Sequence, residues 1–199
     1  TRAEFLTGRY QQRFGVEDNN KGPLPLEQLT IAERLKTAGY VTGQVGKWHL
    51  DLVGGKKGEK GLRSVKEFMP HAQGFDEYFR GELRQYLASH DLSGKPFADA
   101  PHLVADNRFR VVVQTEAALS FLDRRTAKPE QPFFLYLAYN APHFPLHAPK
   151  ELIDHYQPVY EQGWDKIRAQ RHQRQLAVGL LPKTTKLTPR SVVGPNRVS

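Results

Sequence analysis

Apolar residues along this chain change their spacing several times, and each change marks an element. In TRAEFLTGRY, residues 1–10, Phe5 and Leu6 sit among strong helix formers, and Gly8 stands where a short helix would stop. Residues 11–25 are polar, carry glycine and two prolines, and read as loop. Thr30-Ile31-Ala32-Glu33 has the form of a capping box. Ile31, Leu35 and Ala38 follow at helical spacing, with Gly39 placed to end the helix. Tyr40 to Val45 then reads as a strand. Residues 53–66, VGGKKGEKGLRSVK, are Gly/Lys-rich and read as an exposed loop.

Phe75 to Phe79 suggests a short strand, and the chain from there to about residue 106 shows no clear period. Over 109–124 the apolar positions Val113, Ala117 and Phe121 recur every fourth residue, which predicts a helix. Asp106-Asn107 just before it reads as a helix-start turn. Pro132 introduces FFLYLAY, residues 133–139, a continuous apolar and aromatic run of the kind found in a strand buried on both faces of a parallel sheet. Helices and strands in alternation predict an α/β layered domain in which 40–46 and 133–139 are near neighbours.

Composition permits a core, with 39% hydrophobic and 11% aromatic residues, and no run of 18 apolar residues exists to span a membrane. The first residues carry no signal-peptide pattern. The absence of cysteine excludes disulfides, thiolate metal sites and cysteine nucleophiles within these residues. The net charge of +8 is local. Residues 163–199 hold eight of the 29 Lys/Arg and one of the 21 Asp/Glu, so 1–162 is nearly balanced. A nucleic-acid-binding protein spreads basic and aromatic residues over a folded face. Charge therefore divides the chain into a nearly balanced part at 1–162 and a basic, poorly ordered continuation at 163–199, with no nucleic-acid partner.

Three polar clusters lie beside strand ends, where α/β sheets place their sites. Arg2 stands at a helix start, where backbone N–H groups favour an anion. Lys47 and His49 follow the strand ending near Val45, and an extended chain would turn both to one side. His143 lies just past the apolar strand in NAPHFPLHAP, residues 140–149, between Pro142 and Pro145. An arginine fork, a lysine point charge and two imidazoles suit a tetrahedral oxyanion. Each residue alone is a weak signal.

The motifs themselves are more specific. TRAEFLTGRY resembles the second half of the sulfatase signature, Cys/Ser-x-Pro-Ser/Thr-Arg followed by apolar residues and Thr-Gly. GYVTGQVGKWHL matches the other sulfatase signature, Gly-Tyr-x-Thr-x-x-x-Gly-Lys-x-His, at every fixed position. APHFPLHAP is similar to a third sulfate-facing segment of that family, and LPLEQLTIAERLKTAGY and GWDKIRAQR resemble flanking segments of type I arylsulfatases. The resemblance runs from Thr1 to about Arg190.

That resemblance implies an alkaline-phosphatase-like α/β fold, a mostly parallel sheet with flanking helices, incomplete in this chain. It implies a sulfuric ester hydrolase acting on an aryl or saccharide sulfate, in a periplasmic, secreted or lysosome-like setting. In such enzymes a Cys or Ser three positions before Thr1 becomes formylglycine, whose hydrate attacks sulfur. Arg2 would hold that hydrate, and Lys47 would bind it together with a sulfate oxygen. His49 would take the proton that lets sulfate leave, and His143 would contact the ester and protonate the departing alcohol. The cofactor would be calcium, or magnesium, held by acids outside these residues; Asp106-Asn107 comes too early in the chain to be the downstream pair, and His147 lies where the family varies. The chain alone is thus expected to be inactive. Two other readings remain open: a phosphonate or phosphate monoester hydrolase of the same superfamily, and a non-catalytic polyanion-binding module using the basic tail.

Overall fold

A computed structural model describes residues 1–17, 22–54, 62–81 and 85–190. It divides into two compact units, Thr1–His147 and Ala148–Ser199. The first unit is built on a five-stranded sheet. Its strands are β1 (Val41–Gly46), β4 (Glu77–Gly81), β5 (Gln85–Ala88), β6 (His102–Ala105) and β7 (Phe133–Ala138), in the order β6-β5-β4-β1-β7. β1 runs parallel to both β4 and β7, with Gly46 opposite Arg80 on one side and Ala138 on the other. The β4–β5 and β5–β6 pairs are antiparallel. The sheet is thus parallel where it carries the motifs and antiparallel at one edge. β2 (Leu52–Gly54) and β3 (Leu62–Ser64) pair antiparallel, largely within 53–66, where the composition reads as loop; residues 55–61 of that stretch lie outside the described residues.

Helices cover both faces, because alternate residues of β1 point opposite ways. On one face Val45 packs with Phe79, Tyr86, Val113 and Ala117, beneath α3 (Arg110–Thr126). Gly43 belongs to that face, and a Cβ there would meet the Phe121 ring at 2.6 Å. On the other face Trp48, Phe75 and Leu24 pack with Ala3 and Leu6 of α1 (Arg2–Thr7) and Ala32 of α2 (Ile31–Thr37). The capping box forms as expected: Thr30 Oγ1 accepts from the Glu33 N–H at 3.2 Å, and Glu33 Oε2 accepts from the Thr30 N–H at 2.7 Å. Gly8, in the left-handed region at φ 66°, ends α1. The 11–25 segment holds one turn of 3-10 helix, Gln11–Phe14, and its residues 18–21 lie outside the described residues.

The expected double burial of 133–139 is corrected. β7 is an edge strand whose residues are half-buried or exposed, with Phe133 44% and Leu137 37% accessible. An apolar run reports what a strand is able to bury, and nothing among the described residues pairs with the outer edge of β7. In the second unit, α4 (Lys150–Tyr160) is followed by α5 (Trp164–Ala177), a helix where a poorly ordered continuation was expected. Arg168 donates to the Thr188 carbonyl at 2.6 Å, and Arg190 pairs with Asp165 at 2.9 Å. The unit boundary falls at His147, earlier than the 162/163 division that charge suggests.

Candidate functional site

Gly46 closes β1 at φ 98°, and a Cβ there would strike the Ala138 carbonyl of β7. Only glycine tolerates both constraints. Lys47 then donates its backbone N–H to that same carbonyl at 2.7 Å, joining the ends of the two strands. Beyond it the chain is pinned from below. Trp48 is fully buried, donates Nε1–H to the Phe68 carbonyl at 2.9 Å and meets Phe75 edge-on at 5.6 Å. The Leu50 carbonyl accepts from the Leu24 N–H at 2.9 Å. Asp51 is fully buried, and both its carboxylate oxygens lie 3.0 Å from Arg80 Nη2 at the end of β4.

Lys47 and His49 are the residues between these anchors. The argument from an extended chain does not hold at His49, whose φ is 59°. Histidine enters this left-handed region more readily than most residues. Such a backbone still costs about 1–3 kcal/mol and persists only where its surroundings over-determine it. Trp48, Leu50 and Asp51 provide that constraint.

Arg2 opens α1, a helix of only six residues, so its charge and not a helix dipole is what it brings. Its charge lies near the Tyr136 phenol of β7, and Phe5, one turn on in the same helix, stacks on the Tyr136 ring at 5.6 Å. Burial pushes the Tyr136 phenol up, and the adjacent Arg2 charge pulls it part of the way back. Tyr136 and Ala138 are two apart on one strand, so the ring stack sets α1 against the strand that also receives Lys47.

His143 lies in the exposed turn five residues past Ala138, and its N–H donates to the Asn140 carbonyl at 2.9 Å. Its Nδ1 lies 2.6 Å from the Phe144 carbonyl. A carbonyl only accepts, so Nδ1 carries the hydrogen of this bond and Nε2 is the nitrogen that gains or loses a proton. Lys47, His49 and His143 thereby lie on the segments leaving the carboxyl ends of β1 and β7, while Arg2 stands on α1, which meets β7 through the Phe5–Tyr136 stack. His147 is exposed, two residues beyond the end of that turn. Asp106 forms the expected helix-start turn, accepting from the Arg108 N–H at 2.9 Å.

Several supporting residues escape a reading of the sequence. Arg80 is 29 positions from Asp51, and no local pattern pairs them. Gln114 did leave a signal: it is a polar residue on the apolar stripe of α3, in line with Ala117, Ala118 and Phe121, and it is fully buried. Among the described residues no group of three or more His, Cys, Asp or Glu could hold a metal ion. They do not form the implied calcium or magnesium site, and no chemical step below passes through a metal.

The fold is an α/β sheet with a lysine and a histidine just past β1 and another histidine past the adjacent parallel strand β7, the strand ends beside which α/β proteins place their sites. Residues 1–185 match the family model described as Sulfatase, and the chain belongs to that family. It is 32% identical over 178 residues to "Arylsulfatase J" of Mus musculus, covering 80% of this chain and 27% of that protein. It is 31% identical over 200 residues to "Arylsulfatase" of Klebsiella aerogenes, covering 94% of this chain and 42% of that protein. The chain therefore spans well under half the length of these relatives. Among solved structures, "Crystal structure of Ps i-CgsB" superposes with a TM-score of 0.58 at 26% identity, over 80% of this chain and 38% of its own. A structure described as BT4656 in complex with its substrate D-glucosamine-2-N,6-O-disulfate shares the fold, with a TM-score of 0.55 at 21% identity over 79% of this chain and 27% of its own. The alkaline-phosphatase-like α/β architecture is thus that of the sulfatases.

Proposed function

We propose that the protein carrying this chain hydrolyses sulfate esters of a sugar or aryl alcohol. The observation that carries the reading is the pinned turn after β1, which holds Lys47 and His49 beside the strand that leads to His143. Support for a saccharide comes from the Ps i-CgsB relative, whose structure is also described in complex with a neocarrahexaose. A periplasmic, secreted or lysosome-like setting follows from the same resemblance, and no described helix is long and apolar enough to cross a membrane.

The resemblance assigns the nucleophile to a formylglycine outside these residues, which supplies an oxygen to attack sulfur. The residues of this chain neutralise charge and move protons. Lys47 sets a compact positive charge against a sulfate oxygen, and Arg2 adds a second near the attacking group. His143, with Nδ1–H held by the Phe144 carbonyl, donates from Nε2 to the ester oxygen as the S–O bond breaks. His49 accepts the proton that must leave before sulfate departs. A general acid or base placed in this way contributes roughly 100- to 10,000-fold each.

The test compares 4-nitrophenyl sulfate with 4-nitrophenyl phosphate, using the full-length protein. Sulfate turnover well above phosphate turnover, lost in Lys47→Ala, is expected. Preferential phosphate turnover would replace this reading by a phosphomonoesterase. If neither ester turns over and heparin is retained only while 163–199 is present, the protein is a polyanion-binding module.

A further inference from the structure

His143 sits on an exposed turn with a single described side-chain contact, to its neighbour's carbonyl, yet a proton donor must be held to within a fraction of an ångström of its target. The structure shows where that precision originates. Gln114 of α3, fully buried, donates Nε2–H to Asn140 Oδ1 at 2.8 Å. Asn140 in turn accepts the His143 N–H on its backbone carbonyl at 2.9 Å. One residue along each element, Thr115 Oγ1 and the Tyr139 hydroxyl form a second bond at 2.7 Å. α3 packs under the sheet through Val113, Ala117 and Phe121, so it is a rigid support. A glutamine placed on a buried stripe needs a polar partner, because an unpaired amide there is strongly penalised. Gln114 meets that need only through Asn140; its Oε1 has no partner among the described residues.

We propose that Gln114 and Asn140 are positioning residues for His143. The buried amide fixes the Asn140 side chain, Asn140 fixes the start of the turn, and the turn aims Nε2 of His143 at the leaving oxygen. This rests on the reading of His143 as the general acid. A positioning role has a kinetic signature that simple destabilisation lacks. Misplacing the acid penalises substrates in proportion to how much their leaving group needs a proton, whereas a general loss of folded protein lowers every rate by the same factor.

The experiment measures kcat/KM of the full-length protein for 4-nitrophenyl sulfate and for phenyl sulfate, whose alcohol is a much poorer leaving group. The variants are Gln114→Met, Asn140→Ser and His143→Ala. His143→Ala should lower the phenyl sulfate rate far more than the 4-nitrophenyl sulfate rate. Gln114→Met should reproduce that contrast in milder form, about 10- to 100-fold for phenyl sulfate and less than about threefold for 4-nitrophenyl sulfate. Asn140→Ser, on the half-buried turn, should behave alike and decides the matter if Gln114→Met does not fold. Equal losses on both substrates in the Gln114 or Asn140 variants, with the contrast intact in His143→Ala, would overturn the positioning role alone. If His143→Ala itself shows no contrast, the reading of His143 as the acid fails, and the positioning role falls with it.

Discussion

Replacing Asp51 by alanine should do more damage than its size suggests. The carboxylate is inaccessible to solvent, and both oxygens face Arg80 Nη2 at 3.0 Å; the Arg80 side chain is itself only 10% accessible. Removing one partner of such a pair leaves a desolvated guanidinium without this counter-charge, which costs about 3–5 kcal/mol. Exchanging both partners for apolar residues of similar volume, as in Asp51→Leu with Arg80→Met, removes the charge problem with the charge and is often near neutral. Urea unfolding of the full-length protein, followed by tryptophan fluorescence, suits the test because Trp48 lies three residues from Asp51 in the same pinned segment. Each single variant should lose about 3–5 kcal/mol and the double variant less than about 2 kcal/mol, a strongly non-additive cycle. The single-variant losses should also persist in 0.5 M NaCl, since a buried pair is screened far less than a surface one. Single losses under about 1 kcal/mol, or a double variant equal to the sum of the singles, would show that the pair does not anchor the segment that carries His49.

Three further outcomes are expected. Gly46→Ala should lose about 1–2 kcal/mol from its positive φ, and about 0.5–1.5 kcal/mol more as the Lys47–Ala138 bond is pushed apart, with a fall in aryl sulfate turnover; unchanged melting and turnover would show that β1 and β7 do not meet so closely. Burial raises the Asp76 carboxyl, but its bonds to Lys36 and Thr42 outweigh that and hold it below the usual range. The stability this confers is full above the unfolded value of about 3.9 and is lost as pH falls through the folded value; Asp76→Asn should therefore flatten melting temperature between pH 5 and pH 2, and an unaltered slope refutes it. In stopped-flow kinetics with an activated aryl sulfate, His49→Ala should release about one equivalent of alcohol and then turn over slowly, whereas His143→Ala should slow the first release, most for poorer leaving groups; loss of the burst in both, or its survival in both, would mean the acid and base are wrongly assigned.

What the sequence determines by itself is local. The capping box at Thr30–Glu33, the stop at Gly8 and the apolar stripe of α3 depend on residues within a few positions of one another, and each appears where the pattern puts it. The candidate site residues are legible for a similar reason, since Lys47 and His49, or His143 and its prolines, sit in short segments whose motifs identify a family. The antiparallel strands β5 and β6 are too short to show a period and owe their form to pairing, β5 with β4 and β6 with β5. β7 has the composition of a central strand, but exposure depends on what lies beside it, and that is settled by sheet order. The left-handed turn at His49, the Asp51–Arg80 pair and the Gln114–Asn140 bond exist only once β1, β4, β7 and α3 have packed. Each joins groups far apart in sequence or strains a backbone that would relax if free. Residue types and motifs name the chemistry available to the chain; the packed sheet and its helices decide where each proton and charge is held.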